Sequence, residues 1–388
     1  MAGLVGCSSP DVAPEFEARR AAALAPAPAL TASWDEDGVV RLSPPLVRAL
    51  LEQSAQAELD ALEGLEVSIG SATPTVAVES IELDEGDCEG CIAAKAKLSG
   101  DVSLKIGPAK SNVAWEGTLK AQVAFETTAA DDGRHIQMSV RSVDTLKIAH
   151  DKSRVNLSGP LQTWGTELFS RLEPMDLGAY GGEDLGLLDI RIEPEGGGLD
   201  IPFHTDVPSP GDLGATGAAP TQGFVVLVDE QSLVSLAARE AFSAGALEHD
   251  LWAEPTSLDV EGRNFELGLR VWRIAEDSWW RDYLVRGDVT VEGYMLGLQA
   301  TELEAVDSSE GAEAIDALAV LGESVFMDEI LEAAQATLPT RSRVTAGSIG
   351  MTSQLTDAYG AKGHLVLVGS AEVGPAEKKK VSEGLLKK

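Results

Sequence analysis

Two cysteines three residues apart mark the most chemically distinctive segment of the chain. Cys88-Glu89-Gly90-Cys91 follows the acidic stretch Asp84-Glu85-Gly86-Asp87 and lies between two runs of strand-like alternation. A zinc site needs four ligands, and no second cysteine pair or nearby histidine supplies the others. A reactive dithiol is expected at a helix start, where the dipole favours the thiolate, and no helical pattern begins here. The first expectation is a structural disulfide closing a hairpin end, which requires an oxidising compartment. Calcium held by Asp84, Asp87 and Glu89 is the alternative, although their spacing matches no standard loop; no metal site is expected. The five histidines, His135, His150, His204, His249 and His364, are scattered through unrelated contexts. None belongs to a His-Glu-x-x-His helix, and Gly347-Ser348-Ile349-Gly350 is one position short of a Gly-x-Ser-x-Gly elbow. No phosphate loop or dinucleotide fingerprint occurs, so no cofactor is expected. With 63 acidic residues in the chain, paired carboxylates carry no signal of acid–base catalysis. The expectation is binding and not catalysis.

Charge narrows the partners. Lys and Arg total 30 against 63 Asp and Glu, a net charge of −33 over 388 residues. Such a surface repels phosphate backbones, which argues against nucleic acid, and the same sign argues against docking on an anionic membrane through a basic patch. At 44% hydrophobic and 24% charged residues, the composition is that of a folded globular protein. No run reaches the roughly 18 to 20 apolar residues of a membrane-spanning helix. The length suggests two or three domains at about 150 residues each.

Near the amino terminus, Leu4-Val5-Gly6-Cys7 precedes Ser8-Ser9-Pro10 and the Ala/Pro-rich stretch from Ala21 to Pro28. This string resembles the lipobox of bacterial lipoproteins, in which small residues precede a cysteine that becomes the lipidated first residue. The resemblance implies a lipid anchor at Cys7 and an envelope location; the Ala/Pro-rich stretch reads as a flexible tether, so residues 1–42 are expected to be a lipobox-like terminus and tether. That location would be outer-membrane-anchored, facing the periplasm or the cell surface. The alternative is a free thiol in a frayed terminus.

The elements that follow are legible from periodicity. Ser43-Pro44-Pro45 predicts a capped helix running to about Gly64, with Leu46, Val47, Leu50, Leu51, Leu59 and Leu62 mostly on one stripe. Alternating strands are expected around Val76–Leu83, Val102–Ile106 (with Leu104), Leu119–Phe125 (with Val123) and Ile136–Val140. Helical spacing returns from Leu161 to Leu172, then short strands at Leu188–Ile192 and Leu199–Phe203. The Gly/Pro/Ala-rich stretch 208–222 reads as a linker between residues 43–207 and 223–375. Beyond it, Phe224–Val228 is an apolar strand and Asp229 caps a helix carrying Leu233, Leu236, Ala237, Ala241 and Phe242. Gly245 ends that helix in the manner of a left-handed cap. Strands are expected at Leu258–Val260, Phe265–Val271 (with Leu267 and Leu269), Tyr283–Val285, Val289–Val291 and Leu365–Leu367. A helix of about 40 Å, at 1.5 Å per residue, is expected from Ala312 to Leu338. Trp279-Trp280 reads either as an exposed aromatic tip touching membrane or ligand, or as a cluster packed on the sheet. The basic tail 376–388 is expected to be disordered.

Each half thus reads helix, long antiparallel meander, helix, strand. The class is α+β: two consecutive domains, each a long curved sheet wrapped around amphipathic helices. Aromatic residues make up only 5% of the chain, leaving few bulky side chains to fill a wide barrel, so an elongated apolar cavity is expected. The stretch Phe224 to Leu236, followed by Gly245-Ala246-Leu247, resembles the start of a tubular lipid-binding (TULIP) domain, where a strand leads into a helix ended by such a glycine. That superfamily includes bactericidal/permeability-increasing protein and lipid transfer proteins. The resemblance implies an elongated body that binds or transfers lipid, with Leu46, Leu50, Leu104, Val123, Leu233, Leu236, Phe265, Leu267 and Leu269 as candidate lipid contacts. The acidic surface favours a neutral or zwitterionic lipid, since an anionic headgroup at the mouth would meet like charge. The alternatives are a surface-anchored structural or adhesion lipoprotein without a ligand, and an unrecognised hydrolase.

Overall fold

Long alternations of apolar and polar residues build most of this molecule, and they build it as antiparallel sheet with few helices. The structure, a computed structural model, describes residues 12–25, 36–59, 65–67, 70–88, 90–106, 108–130, 133–150, 158–169, 175–180, 187–206, 220–247, 250–275, 278–293, 295–309, 337–346 and 349–375. Helix α1 (Ala13–Ala23), strand β1 (Gly38–Leu42) and helix α2 (Pro44–Leu59) open the described chain. Strands β2 (Leu65–Val67), β3 (Gly70–Pro74), β4 (Ala77–Glu85), β5 (Cys91–Ile106), β6 (Ala109–Ala130) and β7 (Gly133–His150) follow. Helix α3 (Ser158–Phe169) and β8 (Met175–Tyr180) lead to β9 (Leu187–Ile190), β10 (Glu193–Glu195), β11 (Gly198–Thr205) and β12 (Phe224–Asp229). After helix α4 (Glu230–Ala244) come β13 (Leu251–Glu261), β14 (Asn264–Arg273), β15 (Trp279–Glu292), β16 (Met295–Ser308) and β17 (Thr337–Pro339). Strands β18 (Arg341–Ala346), β19 (Ile349–Gly360) and β20 (His364–Pro375) complete it.

These strands form three sheets. One takes β2, β3, β5, β6, β7 and β8 in that order, with β4 also on β5; another takes β13 to β17 in sequence. The central sheet runs β10-β11-β1-β12-β20-β19-β18, with β9 on β11. It therefore mixes strands from both sides of the 208–222 stretch. The joint is the β1–β12 pair, where Val40 faces Val226 and Leu42 faces Phe224.

Two cores share one face of this central sheet. The first gathers Val47 and Leu51 of α2, Leu161 of α3, the inward residues of β5 to β7, and Leu199 and Ile201 of β11. The second packs Phe265, Leu269, Val271, Val285 and Val289 against Ala358, Leu355, Leu365 and Leu367. A smaller aromatic cluster joins Phe16 of α1, Phe242 of α4 and Trp272 of β14, with Trp252 and Trp280 beside it. Trp280 is thus part of a packed cluster, the second of the two readings of Trp279-Trp280.

Several expectations are corrected. Residues 1–42, read as a lipobox-like terminus and Ala/Pro-rich tether, contain α1 and β1, because Phe16 finds an aromatic socket and Val39-Val40 completes a ladder that local periodicity cannot reveal. Of the helix expected at 312–338, residues 312–336 lie outside the described residues, and Thr337-Leu338 belong to β17, paired with β16 through Leu296 and Gly297. Gly245 has φ 96° and ψ −167°, a glycine conformation that is not the left-handed helical cap. Cys7 and residues 376–388 also lie outside the described residues. Cys88 and Cys91 form a disulfide with Cα atoms 5.3 Å apart. It spans a tight turn in which the Cys91 N–H donates to the Cys88 carbonyl at 3.1 Å and Gly90 takes φ +71°. Gln122, buried behind this turn, accepts the Asp87 N–H at 3.2 Å and donates to Asp87 and Asp144 at 3.4 Å.

Candidate functional site

Between the central sheet, β6–β7 and α2 lies an apolar cavity of about 170 Å³. Its floor follows from strand alternation. Every second residue of β11, β1 and β12 faces it, so Ile201, Val40 and Val226 form one cross-strand row and Leu199, Leu42 and Phe224 the next. Phe224 can lie flat there because Gly369, its partner on β20, has no side chain; a Cβ at Gly369 would sit 2.2 Å from the Phe224 ring. The roof is α2. Ser43 starts this helix, its carbonyl taking the Leu46 and Val47 N–H groups at 3.0 Å. The 3.6-residue repeat then turns Leu46, Val47, Leu50 and Leu51 towards the sheet. Phe125 and Met138, directly paired on β6 and β7, wall one side with Ile136. Ile349, Met351 and Ser353 of β19 wall the other.

Among the described residues of this lining, Ser353 is the one polar side chain and no titratable group is present. This described surface can hold hydrocarbon, and none of its side chains is a base or a ligand for a metal. Met138 and Met351 add side chains that adapt their shape. The volume is decisive for size. A dry apolar cavity of about 150 Å³ takes one benzene, whereas sites for drug-sized ligands run from about 300 Å³. This cavity fits a segment of one chain or ring and not a whole two-chain lipid without opening.

The structure brings some of the expected contacts here and leaves others elsewhere. Leu46 and Leu50 line the cavity. Leu104 and Val123 are buried in the adjoining core but are not among the lining residues. Phe265, Leu267 and Leu269 pack between β14 and β19–β20. Leu233 and Leu236 are only half-buried, and α4 instead buries Val234, Ala238 and Phe242. Leu233 and Leu236 do not lie over the sheet face of Phe265, Leu269 and Val271. Successive strand residues face opposite ways: Val271 points to the central sheet, and α4 packs on the other face, where Trp272 lies. The cavity residues that sequence reasoning missed are mainly Val40 and Leu42, hidden in a five-residue strand, and Ile349 and Met351, which no clear alternation marks.

Ionisable groups collect at the ends of the same floor strands. Asp37, fully buried, accepts the Thr205 N–H and hydroxyl, both at 2.7 Å, and the Ser232 hydroxyl at 3.1 Å. The His204 Nδ1 lies 3.1 Å from the same carboxylate. A serine, a histidine and an aspartate thus meet, but the Ser232 hydroxyl is bonded to carboxylates, Asp37 and Asp229, and is itself fully buried. A nucleophilic triad needs the hydroxyl on the imidazole and open to substrate. This cluster instead ties the start of β1 to the end of β11 and the start of α4. Asp229 also caps α4 by accepting the Ser232 N–H at 2.8 Å. Next to it, Glu230 is buried and accepts the Val260 N–H at 3.0 Å. Burial chiefly, with Asp259 and Asp229 adding repulsion, raises its carboxyl above the usual range, against the Val260 N–H and His364. Among the described residues, no three His, Cys, Asp or Glu side chains are grouped to hold a metal ion.

No protein-family model matches the chain, and no curated protein sequence does. Among solved structures, the chain is similar to a lipopolysaccharide binding protein at 12% identity and a TM-score of 0.34, the match covering 87% of this chain and 99% of that one. It is also similar to P47 of Clostridium botulinum E1 at 9% identity and a TM-score of 0.44, again covering 87% and 99%. Neither score is high enough to establish a shared fold.

Proposed function

We propose that this protein binds an apolar ligand, a lipid acyl chain or a molecule of similar chemistry, in the cavity beneath α2. One observation supports this above the rest: among the described residues, a lining of aliphatic, aromatic and methionine side chains with a single hydroxyl. Two long-stranded sheets flanking a shared central sheet suit the tubular lipid-binding arrangement expected from residues 224–247, and we extend the proposal to that arrangement. The net charge of −33 favours a neutral or zwitterionic lipid. Substitution of Leu50 by Trp tests the reading. A fluorescent fatty acid should bind the wild type and be displaced by the indole, with little change in melting temperature. In a solidly packed site the same change overpacks the core and costs about 1–3 kcal/mol. A wild type without uptake, together with that loss of stability, would sink the proposal.

A second reading, a packed structural scaffold without ligand, is favoured by the small volume of the cavity, and that same outcome would support it. Anchoring through Cys7 in a bacterial envelope completes the proposal and rests on the lipobox-like string. Metabolic labelling with a fatty-acid analogue should mark the wild type and not Cys7→Ala. Equal labelling of the two proteins would remove the anchor.

A further inference from the structure

The Cys88–Cys91 disulfide holds little that is not already held. Its cysteines are three apart in sequence, and the loop-closure entropy that a cross-link removes is smallest for the shortest loops. The hairpin it tips is closed without it. β4 and β5 pair from Ala77–Ser99 to Glu85–Ile92. In the turn itself, the Cys91 N–H donates to the Cys88 carbonyl and buried Gln122 accepts the Asp87 N–H. As a staple the bond adds little, so its use lies in its chemistry.

The two halves of the bond are placed unequally. Cys88 is exposed, whereas Cys91 is 4% exposed. An incoming thiolate therefore meets Cys88, and Cys91 is the leaving group. Residues 84–91 carry four acidic side chains, Asp84, Glu85, Asp87 and Glu89, and no Lys or Arg. Of these, Asp84, Glu85 and Asp87 are exposed. Such surroundings are the opposite of the electropositive ones that activate a catalytic thiolate, so the pair suits the receipt of electrons and not nucleophilic attack of its own. The same charges repel an anionic thiol.

We propose that Cys88–Cys91 is an exchange site, reduced on the folded protein by a neutral or cationic dithiol that attacks at Cys88. A donor thiolate forms a bond to the Cys88 sulfur. The Cys88–Cys91 bond breaks, and its electron pair goes to the Cys91 sulfur, which takes up a proton. The donor's second thiol gives up its proton, attacks the donor sulfur of the mixed disulfide and releases Cys88 as a thiol. Two electrons and two protons thus pass to the protein, and the donor leaves as a disulfide. β5 begins at Cys91, and the Gly90 carbonyl continues its ladder to β6 by accepting the Phe125 N–H at 3.2 Å. Gly90 lies inside the closed turn, so reduction frees the carbonyl that holds Phe125. Phe125 walls the apolar cavity, one hydrogen bond from the exchange site, but the inference does not depend on what that cavity holds.

The test treats the oxidised full chain with dithiothreitol at a series of urea concentrations below the unfolding midpoint. Maleimide quenching and peptide mapping follow each thiol, with Cys7 read on its own peptide. Reduction of the folded protein gives rates that stay nearly flat across the series. A staple that opens only with the fold gives rates that climb with the unfolded population, and that result overturns the proposal. Trapped 2-mercaptoethanol should be joined to Cys88 with maleimide on Cys91; the reverse labelling overturns the direction of attack. Per thiolate at low salt, cationic cysteamine should react about tenfold faster than anionic 2-mercaptoethanesulfonate, a gap that closes at about 1 M salt. Equal rates at low salt overturn the choice of donor. In the reduced, folded chain the Phe125 amide should exchange hydrogen about tenfold faster, and unchanged protection there overturns the link to β6. No apolar ligand enters this experiment, so its outcome and that of the cavity reading remain separate.

Discussion

A buried carboxylate is the residue whose behaviour is easiest to forecast here. Glu230 is held above its ordinary value of 4.5, first by burial and then by Asp259 and Asp229, which outweigh the Val260 N–H and His364. The folded chain therefore binds this proton more tightly than the unfolded chain. The contribution to stability is fully present below pH 4.5 and is lost as pH rises through the raised folded value. Glu230→Gln keeps an oxygen to accept the Val260 N–H but cannot ionise. Urea midpoints measured from pH 4.5 to neutrality should thus fall more for the wild type than for Glu230→Gln; parallel curves would contradict the assignment. None of this was legible in the sequence. In a chain with 63 acidic residues, Glu230 looks like any first-turn carboxylate, and its burial depends on β13 and the β19–β20 turn folding over it.

Helix α4 shows how far periodicity reaches at the scale of an element. Its start was legible, since Asp229 is a good cap and accepts the Ser232 N–H. Its buried face was not. Leu233 and Leu236, three apart, have helical spacing, but so do Val234, Ala238 and Phe242, four apart on a neighbouring stripe, and these are the residues that pack. What decides between the two stripes is the surface beneath, β13 with the Trp252–Trp272 row, which lies outside the helix's own sequence. Leu236→Trp should therefore change the melting temperature little, because the side chain is only half-buried. Phe242→Ala opens a hole beside Phe16 and Trp272 and should cost about 3–5 kcal/mol, read as a lower denaturation midpoint with an unchanged denaturant slope. Equal costs would mean that α4 sits rotated on the sheet. Strand patterns fared better where one face is solvated, as in β6, where Leu119, Ala121, Val123 and Phe125 are all buried. They failed for β1, whose five residues acquire meaning only between β11 and β12.

At the scale of the whole molecule, the linker reading of 208–222 and the central sheet make opposed demands. Two domains joined by a linker should survive a cut between them. Yet β1 lies between β11 and β12, pairing five residues with each, and the cavity floor takes Ile201 and Val40 from one side of the linker and Phe224 and Val226 from the other. Without β12, the edge Gly38-Val39-Val40-Arg41-Leu42 would present unpaired backbone and apolar side chains to water, a template for aggregation. The fully buried Asp37 would also lose the Ser232 hydroxyl, and Phe16 would lose its aromatic socket on the far side. Chain entropy at the linker offsets none of these losses. Cleavage within 207–219 of the folded protein should therefore leave a complex that elutes as one species and melts in one transition. Residues 1–206 expressed alone should aggregate or lack native thermal unfolding, and co-expression with 220–388 should rescue them. Two fragments that separate as folded monomers would show that the β1–β12 seam is a weak domain contact. The cavity would then be a crevice between independent bodies, free to widen for a larger ligand, and its volume of about 170 Å³ would no longer limit what the protein can hold.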